Sequence, residues 1–123
     1  VPCDVQPGIV NATITINGNS TVIPGLPVTQ YQPGIFEFTG TDGRRYATLI
    51  RPDGSYVTPQ NPARRGELLY LFATGMGQTT PRTGTNVIGL PGQRLAVPVV
   101  VGVNNAGVRV VSADYLVGQI GTY

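Results

Sequence analysis

Glycine and proline interrupt this chain at short intervals, and that spacing is the strongest constraint on its fold. The 123 residues include 17 Gly and 11 Pro, and the segments between them are rich in Val, Ile, Thr and Tyr. Glycine and proline break helices, whereas β-branched and aromatic residues favour strands. No window keeps a 3.6-residue apolar period. The sequence therefore predicts an antiparallel all-β fold of short strands and many turns.

The clearest strand lies near the N-terminus, where apolar and polar residues alternate through residues 8–17. Such alternation indicates a strand with one buried face. Asn17-Gly18-Asn19 then supplies a turn. The next strand contains Pro24 and Pro27, which cannot donate to a ladder, so we expect an edge strand or a bulge there.

Further turns are predicted farther along the chain. Asp53 and Gly54 suit a tight turn after Pro52, and Asn105 with Gly107 predicts a hairpin between two Val-rich runs. Residues 76–93 form a long Gly/Thr/Pro loop in this interpretation. The residues predicted to alternate into the core beside the second hairpin are Val97, Val99, Val101, Val108 and Val110.

Length predicts one domain that buries roughly two thirds of its unfolded surface. Charged residues make up only 11% of the chain, against roughly 25% in typical soluble domains. A low charge with much Thr, Asn and Gly is common in secreted and surface-attached bacterial proteins. We therefore expect an extracellular or cell-surface location.

The charge pattern also limits the partners. All eight basic residues are Arg and the net charge is +2, without the clustered cations of a phosphate-binding face. No apolar run reaches the ~18 residues of a membrane span. The sequence predicts neither a nucleic-acid partner nor a membrane-spanning segment.

Gly75-Met76-Gly77 follows an apolar run and is the one candidate for a phosphate loop. A P-loop needs a Gly-Lys-[Ser/Thr] end, and a dinucleotide turn needs a third glycine that opens a helix. The chain has no Lys, and Thr80 stands where the third glycine belongs. We predict that Gly75 and Gly77 shape a turn or a strand bulge, and that no cofactor is bound.

The chain lacks most of the residue types that build catalytic and metal-binding sites. The chain has no His, no Lys and a single Cys, which leaves no usual nucleophile with its base and no zinc site. We predict that the protein is not an enzyme. Two alternatives stay open: a small hydrolase that uses paired carboxylates, and a carbohydrate-binding module that uses tyrosines. The carboxylates are Asp4, Glu37, Asp42, Asp53, Glu67 and Asp114, and the tyrosines are at positions 31, 46, 56, 70, 115 and 123.

Residues 62–81, PARRGELLYLFATGMGQTTP, and residues 95–123, LAVPVVVGVNNAGVRVVSADYLVGQIGTY, resemble the immunoglobulin-like TIG (IPT) module. They are still more similar to a repeated C-terminal module of large secreted bacterial proteins. The resemblance implies an Ig-like β-sandwich with a small additional β-meander. It also implies that residues 1–38 correspond to the end of one Ig-like unit, 39–60 to a hairpin or meander connector, and 61–123 to the start of the next unit, although all three can form one compact domain.

The family pattern continues into a closing strand beyond Tyr123, and residues 1–2 resemble the end of that strand. The resemblance therefore implies a structural or adhesive module that is completed by other domains of its parent protein or by other copies. In the second case, head-to-tail strand complementation would build an extracellular filament. Cys3 is the single cysteine; it is a free thiol, an intermolecular link between such copies, or half of a pair with another part of a longer protein. Surface carbohydrate and other proteins remain candidate partners.

Overall fold

The computed structural model describes residues 5–123 and confirms the all-β prediction, with no helix in that part of the chain. Its strands pair two by two in small antiparallel sheets: β1 with β2, β3 with β8, β4 with β5, β6 with β7, β9 with β10, and β11 with β12. The strands are β1 (Gly8–Ile16), β2 (Asn19–Val28), β3 (Gly34–Ile35), β4 (Glu37–Thr39), β5 (Arg45–Ala47), β6 (Leu49–Ile50), β7 (Tyr70–Leu71), β8 (Ala73–Thr74), β9 (Thr79–Thr80), β10 (Arg94–Leu95), β11 (Val101–Val103) and β12 (Ala106–Val108).

The hairpin β1–β2 is the longest element, and it forms for the reasons expected from its sequence. Asn17 and Gly18 both have positive φ, 50° and 79°, which is the two-residue turn that matches the strand twist. The predicted bulge is confirmed, since the register shifts at Asn11, opposite Pro24 and Gly25. The Gly25 N–H donates to Asn11 Oδ1 at 3.2 Å, so the bulged backbone keeps a partner.

The middle of the chain is joined to a later segment by short strand pairs. Residues 34–35 pair with residues 73–74, and residues 49–50 pair with residues 70–71. The Phe36 N–H also donates to the carbonyl of Phe72 at 3.1 Å. Backbone hydrogen bonds therefore join residues 34–36 and 49–50 to residues 70–74.

The C-terminal residues complete this central region. Ala73 and Tyr123 exchange two backbone hydrogen bonds, each 2.9 Å long. The Tyr123 ring packs edge-to-face on the buried ring of Tyr115, with centroids 4.9 Å apart, and the Tyr123 hydroxyl donates to the carbonyl of Gly77 at 2.6 Å. The chain end is thereby fixed on the 75–77 turn.

The loop predicted over residues 76–93 contains β9 and a buried polar network. Gln93 Nε2 donates to Thr83 Oγ1 at 2.6 Å, and the Thr83 N–H donates to Thr79 Oγ1 at 3.0 Å. All three side chains are buried. Because each buried polar group finds a partner, the network orders the loop without an apolar core of its own.

The apolar core is small, and the predicted burial of about two thirds is wrong. Ala73 and Tyr115 are the buried hydrophobic residues of the described part. The folded chain exposes 9261 Å², whereas an unfolded chain of 12.9 kDa exposes about 18,700 Å². About half of the surface is therefore buried, because the two-stranded sheets cover few of their own side chains.

The predicted core alternation near the second hairpin holds only in part. Val99, Val101 and Val110 are half-buried, but Val97 and Val108 are exposed. The hairpin β11–β12 pairs with no other strand in the described part, so no neighbouring strand extends its sheet.

Candidate functional site: two apolar hairpin faces

The predicted turn residues Gly75 and Gly77 both have positive φ, 68° and 93°. A Cβ atom at Gly75 would overlap the carbonyl of Gln32, and one at Gly77 would overlap the ring of Tyr31. The Gln32 N–H also donates to the carbonyl of Gly75 at 2.9 Å. The turn is thus packed against residues 31–32, and its glycines permit that close approach.

Of the other two predicted turns, the one at Asp53 and Gly54 lies where it was expected, and the second hairpin turn is shifted along the chain. The Ser55 N–H donates to Asp53 Oδ1 at 2.9 Å and Gly54 has φ 84°, as a turn at these residues requires. In the second hairpin the turn is Asn104 and Asn105, with φ 49° and 62°. Gly107 lies within β12, opposite Gly102. Cys3, the candidate intermolecular link, lies outside the described residues.

The described carboxylates are engaged in turns and ion pairs. Asp42 accepts hydrogen bonds from the Tyr46 hydroxyl and the Arg44 N–H, and the first of these chiefly lowers its pKa. The pKa of Asp53 is lowered chiefly by the Ser55 N–H. Two further carboxylates form ion pairs on the surface, Glu37 with Arg45 and Asp114 with Arg94.

Arg51 and Glu67 form the most enclosed ion pair among the described residues. Their side chains are ion-paired and mostly covered. The Arg51 guanidinium also donates to the carbonyls of Tyr56, Asn61 and Pro62 at 3.1–3.2 Å. A second carboxylate oxygen of Glu67 accepts from the Arg64 N–H at 2.8 Å, which is the largest cause of its lowered pKa, followed by Arg51. These bonds fix residues 51–69 between β6 and β7, which we call the β6–β7 connector, and each carboxylate oxygen of Glu67 accepts one of them.

The hairpin β1–β2 presents one largely apolar side. Residues opposite each other in a sheet project on the same side, and the bulge brings Ile23 and Leu26 onto one side although they are three residues apart. Towards the tip this side is uncovered, since Ile14 is 48% exposed and Ile16 is 66% exposed, and there it also carries the polar residues opposite them, Thr21 and Asn19. We call the apolar residues of this side the N-terminal face; they are Val10, Ala12, Ile14, Ile16, Ile23, Leu26 and Val28.

The hairpin β11–β12 has a smaller face of the same kind. Val101 pairs with Val108 and Val103 pairs with Ala106, so these four side chains share one side. Val103 is 59% exposed. We call this the C-terminal face; it consists of Val101, Val103, Ala106 and Val108.

Both hairpins lie in segments without charge. Residues 5–36 and residues 95–108 contain no Asp, Glu, Lys or Arg. Edge strands of natural sheets are usually protected from pairing by charged residues. These two segments lack such charges, although β2 carries the prolines and the bulge that also protect an edge. The missing charges are the sequence signal that could have identified the two faces.

Two tyrosines form a second exposed feature. Ile50 pairs with Tyr70 on one side and bridges to Tyr56 on the other, so both phenol side chains project on the side of Ile50. They are 54% (Tyr56) and 50% (Tyr70) exposed, and two strand spacings separate their backbones by roughly 10 Å. The sequence alone could not show this arrangement, because the pairing of residues 50 and 70 is long-range.

Among residues 5–123, no group of three or more acidic or Cys side chains is arranged to hold a metal ion. None of the described residues forms a helix that could cross a membrane. No family model, curated protein or solved structure matches this chain. The candidate site therefore has to be interpreted from its geometry.

Proposed function

We propose that this protein is a non-enzymatic structural module of an extracellular or cell-surface protein, built on an Ig-like plan, whose hairpins are covered by neighbouring protein. One observation carries the proposal. The chain exposes 9261 Å², whereas a compact monomer of 12.9 kDa exposes about 6,300 Å².

The excess of about 3,000 Å² is large for a self-sufficient domain. An isolated two-stranded hairpin is at best marginally stable in water. Hence a hairpin as long as β1–β2 gains its stability from protein that packs on its apolar face.

An Ig-like plan and an extracellular location have separate support. Ig-like sandwiches are built from short antiparallel strands with frequent turns and one apolar face per sheet, and β1–β2 and β11–β12 have that form. The low content of charged residues suits a secreted protein. The hydrolase alternative loses support, because Asp42, Asp53 and Glu67 are used by turns and by the connector.

Light scattering across a range of protein concentrations tests the proposal directly. We expect mass above 12.9 kDa that rises with concentration, or a complex when adjacent modules of the parent protein are added. A compact monomer with a cooperative melt and a hydrodynamic radius typical of its mass would contradict it.

A carbohydrate-binding module is the second candidate, and the exposed pair Tyr56 and Tyr70 favours it. Aromatic rings on one side of a sheet offer apolar faces with a polar tip, which suits the apolar faces of sugar rings. On a glycan array, Tyr56→Ala and Tyr70→Ala should each abolish binding, while Tyr31→Ala, on another part of the surface, should leave it intact. Equal effects of all three would contradict a site at this pair.

A further inference from the structure

We infer that the N-terminal face of one copy packs on the C-terminal face of a second copy, so that the protein assembles head to tail. The inference rests on the proposed function and names its partner. Both faces belong to twisted antiparallel hairpins with β-branched side chains. Two such faces pack in the manner of a β-sandwich, about 10 Å apart.

Charge is the first argument for a second copy. Both faces lie in charge-free segments, residues 5–36 and 95–108. A partner with charged residues at the contact would lose hydration without gaining an ion pair. An uncharged apolar sheet avoids this cost, and each hairpin of a second copy offers one.

Area sets the strength of the contact. A standard interface takes about 800 Å² from each partner, and the four small side chains of the C-terminal face offer less than this. We therefore expect a small interface that forms in a concentration-dependent way. The whole-chain excess of about 3,000 Å², polar and apolar together, leaves room for one such contact on each face.

Because the two faces differ, the assembly is not a closed two-fold dimer. The N-terminal face has seven side chains on two long strands, and the C-terminal face has four on two short strands. A contact between unlike surfaces is heterologous, and it produces a ring or a filament instead of a closed two-fold dimer. Each end of the assembly keeps one free face.

The test uses one charged substitution on each face. Ile14→Lys disrupts the N-terminal face, and Val103→Lys disrupts the C-terminal face. Both side chains are exposed in the single chain, so the fold should persist, which amide NMR spectra check. Burying a lysine at either contact should weaken self-association by about 100-fold or more. Thr13→Lys is the matched control, because Thr13 is adjacent to Ile14 but projects on the opposite side of β1.

Mixing the two variants is the decisive step. Each variant alone should be a monomer in light scattering. In the mixture, the intact C-terminal face of Ile14→Lys meets the intact N-terminal face of Val103→Lys, so a one-to-one complex of about 26 kDa, twice the 12.9 kDa of the chain, should form. Thr13→Lys should assemble like the wild type, in filaments or rings by negative-stain microscopy.

The outcomes separate this inference from the proposed function. Wild-type association that persists in Ile14→Lys, or that is equally lost in Thr13→Lys, overturns the inference and leaves the proposed function standing. Monomeric variants that form no complex on mixing also overturn it, because each keeps the face that the other has lost. A variant that still forms a dimer by itself indicates a contact between like faces and overturns it as well. A wild-type chain that stays a compact monomer at every concentration overturns both.

Discussion

At the residue scale, the role of the glycines in the 75–77 turn depends on the residues packed against them. The same glycines that suggest a phosphate loop in the sequence sit against Gln32 and Tyr31 in the structure. Gly75 is required twice, once for its positive φ and once for the space that a Cβ atom would take. The two requirements can be separated by comparison with Gly54, whose φ is also positive but whose surroundings are open.

Gly75→Ala should destabilise the fold by about 3 kcal/mol or more, because a left-handed conformation costs a non-glycine residue about 1–2 kcal/mol and the overlap with Gln32 adds to it. Gly54→Ala should cost only about 1–2 kcal/mol. Urea unfolding at one fixed protein concentration measures both. Equal losses of stability would show that the close approach to Gln32 has no energetic weight.

Glu67 gives a prediction about pH. Its folded-state pKa is lowered, chiefly by the Arg64 N–H and then by Arg51. Its contribution is therefore fully present above the unfolded-state pKa of about 4.3 and is lost as the pH falls through the lower folded-state value. Glu67→Gln should reduce the urea midpoint at pH 7, and this difference should shrink steadily as the pH falls below about 4.3.

The control for this experiment is Glu37→Gln, whose carboxylate pairs with the exposed Arg45. Exposed ion pairs contribute little to stability, so the midpoint at pH 7 should change less than in Glu67→Gln. A Glu67→Gln midpoint difference that stays constant from pH 7 to pH 2.5 would contradict the assigned cause.

At the scale of elements, the connector between β6 and β7 depends on one side chain. Arg51 donates to three backbone carbonyls of residues 56–62 and pairs with Glu67. A guanidinium has five donors in a planar fork, and a lysine ammonium cannot reproduce that geometry. The order of this segment, which has little regular strand, is therefore set by a polar anchor.

Arg51→Lys should therefore cost about 2 kcal/mol or more, since hydrogen bonds of charged groups contribute about 1.5–3 kcal/mol. It should also speed tryptic cleavage after Arg64 and Arg65, because the connector opens more often. Mass spectrometry of timed digests measures the rate. Arg44→Lys, at an exposed position, is the control and should leave the rate at 64–65 unchanged. Identical rates in both variants would argue against the anchor.

At the scale of the whole molecule, the proposed covering of the hairpin faces by other copies predicts that stability depends on association. A folded state that is covered by other copies is favoured by mass action, whereas the unfolded chain is not. Raising the protein concentration 100-fold should therefore raise Tm by about 10 °C, as about 2.7 kcal/mol of added stability implies for a domain of this size. Scanning calorimetry from low to high concentration measures it, and Ile14→Lys should flatten the dependence. A wild-type Tm independent of concentration would contradict the coupling.

Several features of the fold could be predicted from the sequence because they depend only on neighbouring residues. The absence of a helical period, the Asn17-Gly18 turn and the bulge near Pro24 follow from φ preferences and from the missing proline donor, which act between neighbours in the chain. The roles of Gly75 and Asp53 in turns follow for the same reason. The side of β1 that carries the apolar residues also follows, because a strand alternates with a period of two.

Only the tertiary structure decided what those local elements pack against. The sequence predicts that Val97 and Val108 are in a core, but burial depends on what packs against a strand, and both side chains are exposed in the structure. The pairing of Ile50 with both Tyr56 and Tyr70, the overlap at Gln32 and the anchoring by Arg51 all join residues distant in sequence. Alternation determines which side of a strand is apolar, whereas long-range contacts determine whether that side is covered, and the exposed hairpin faces are the result.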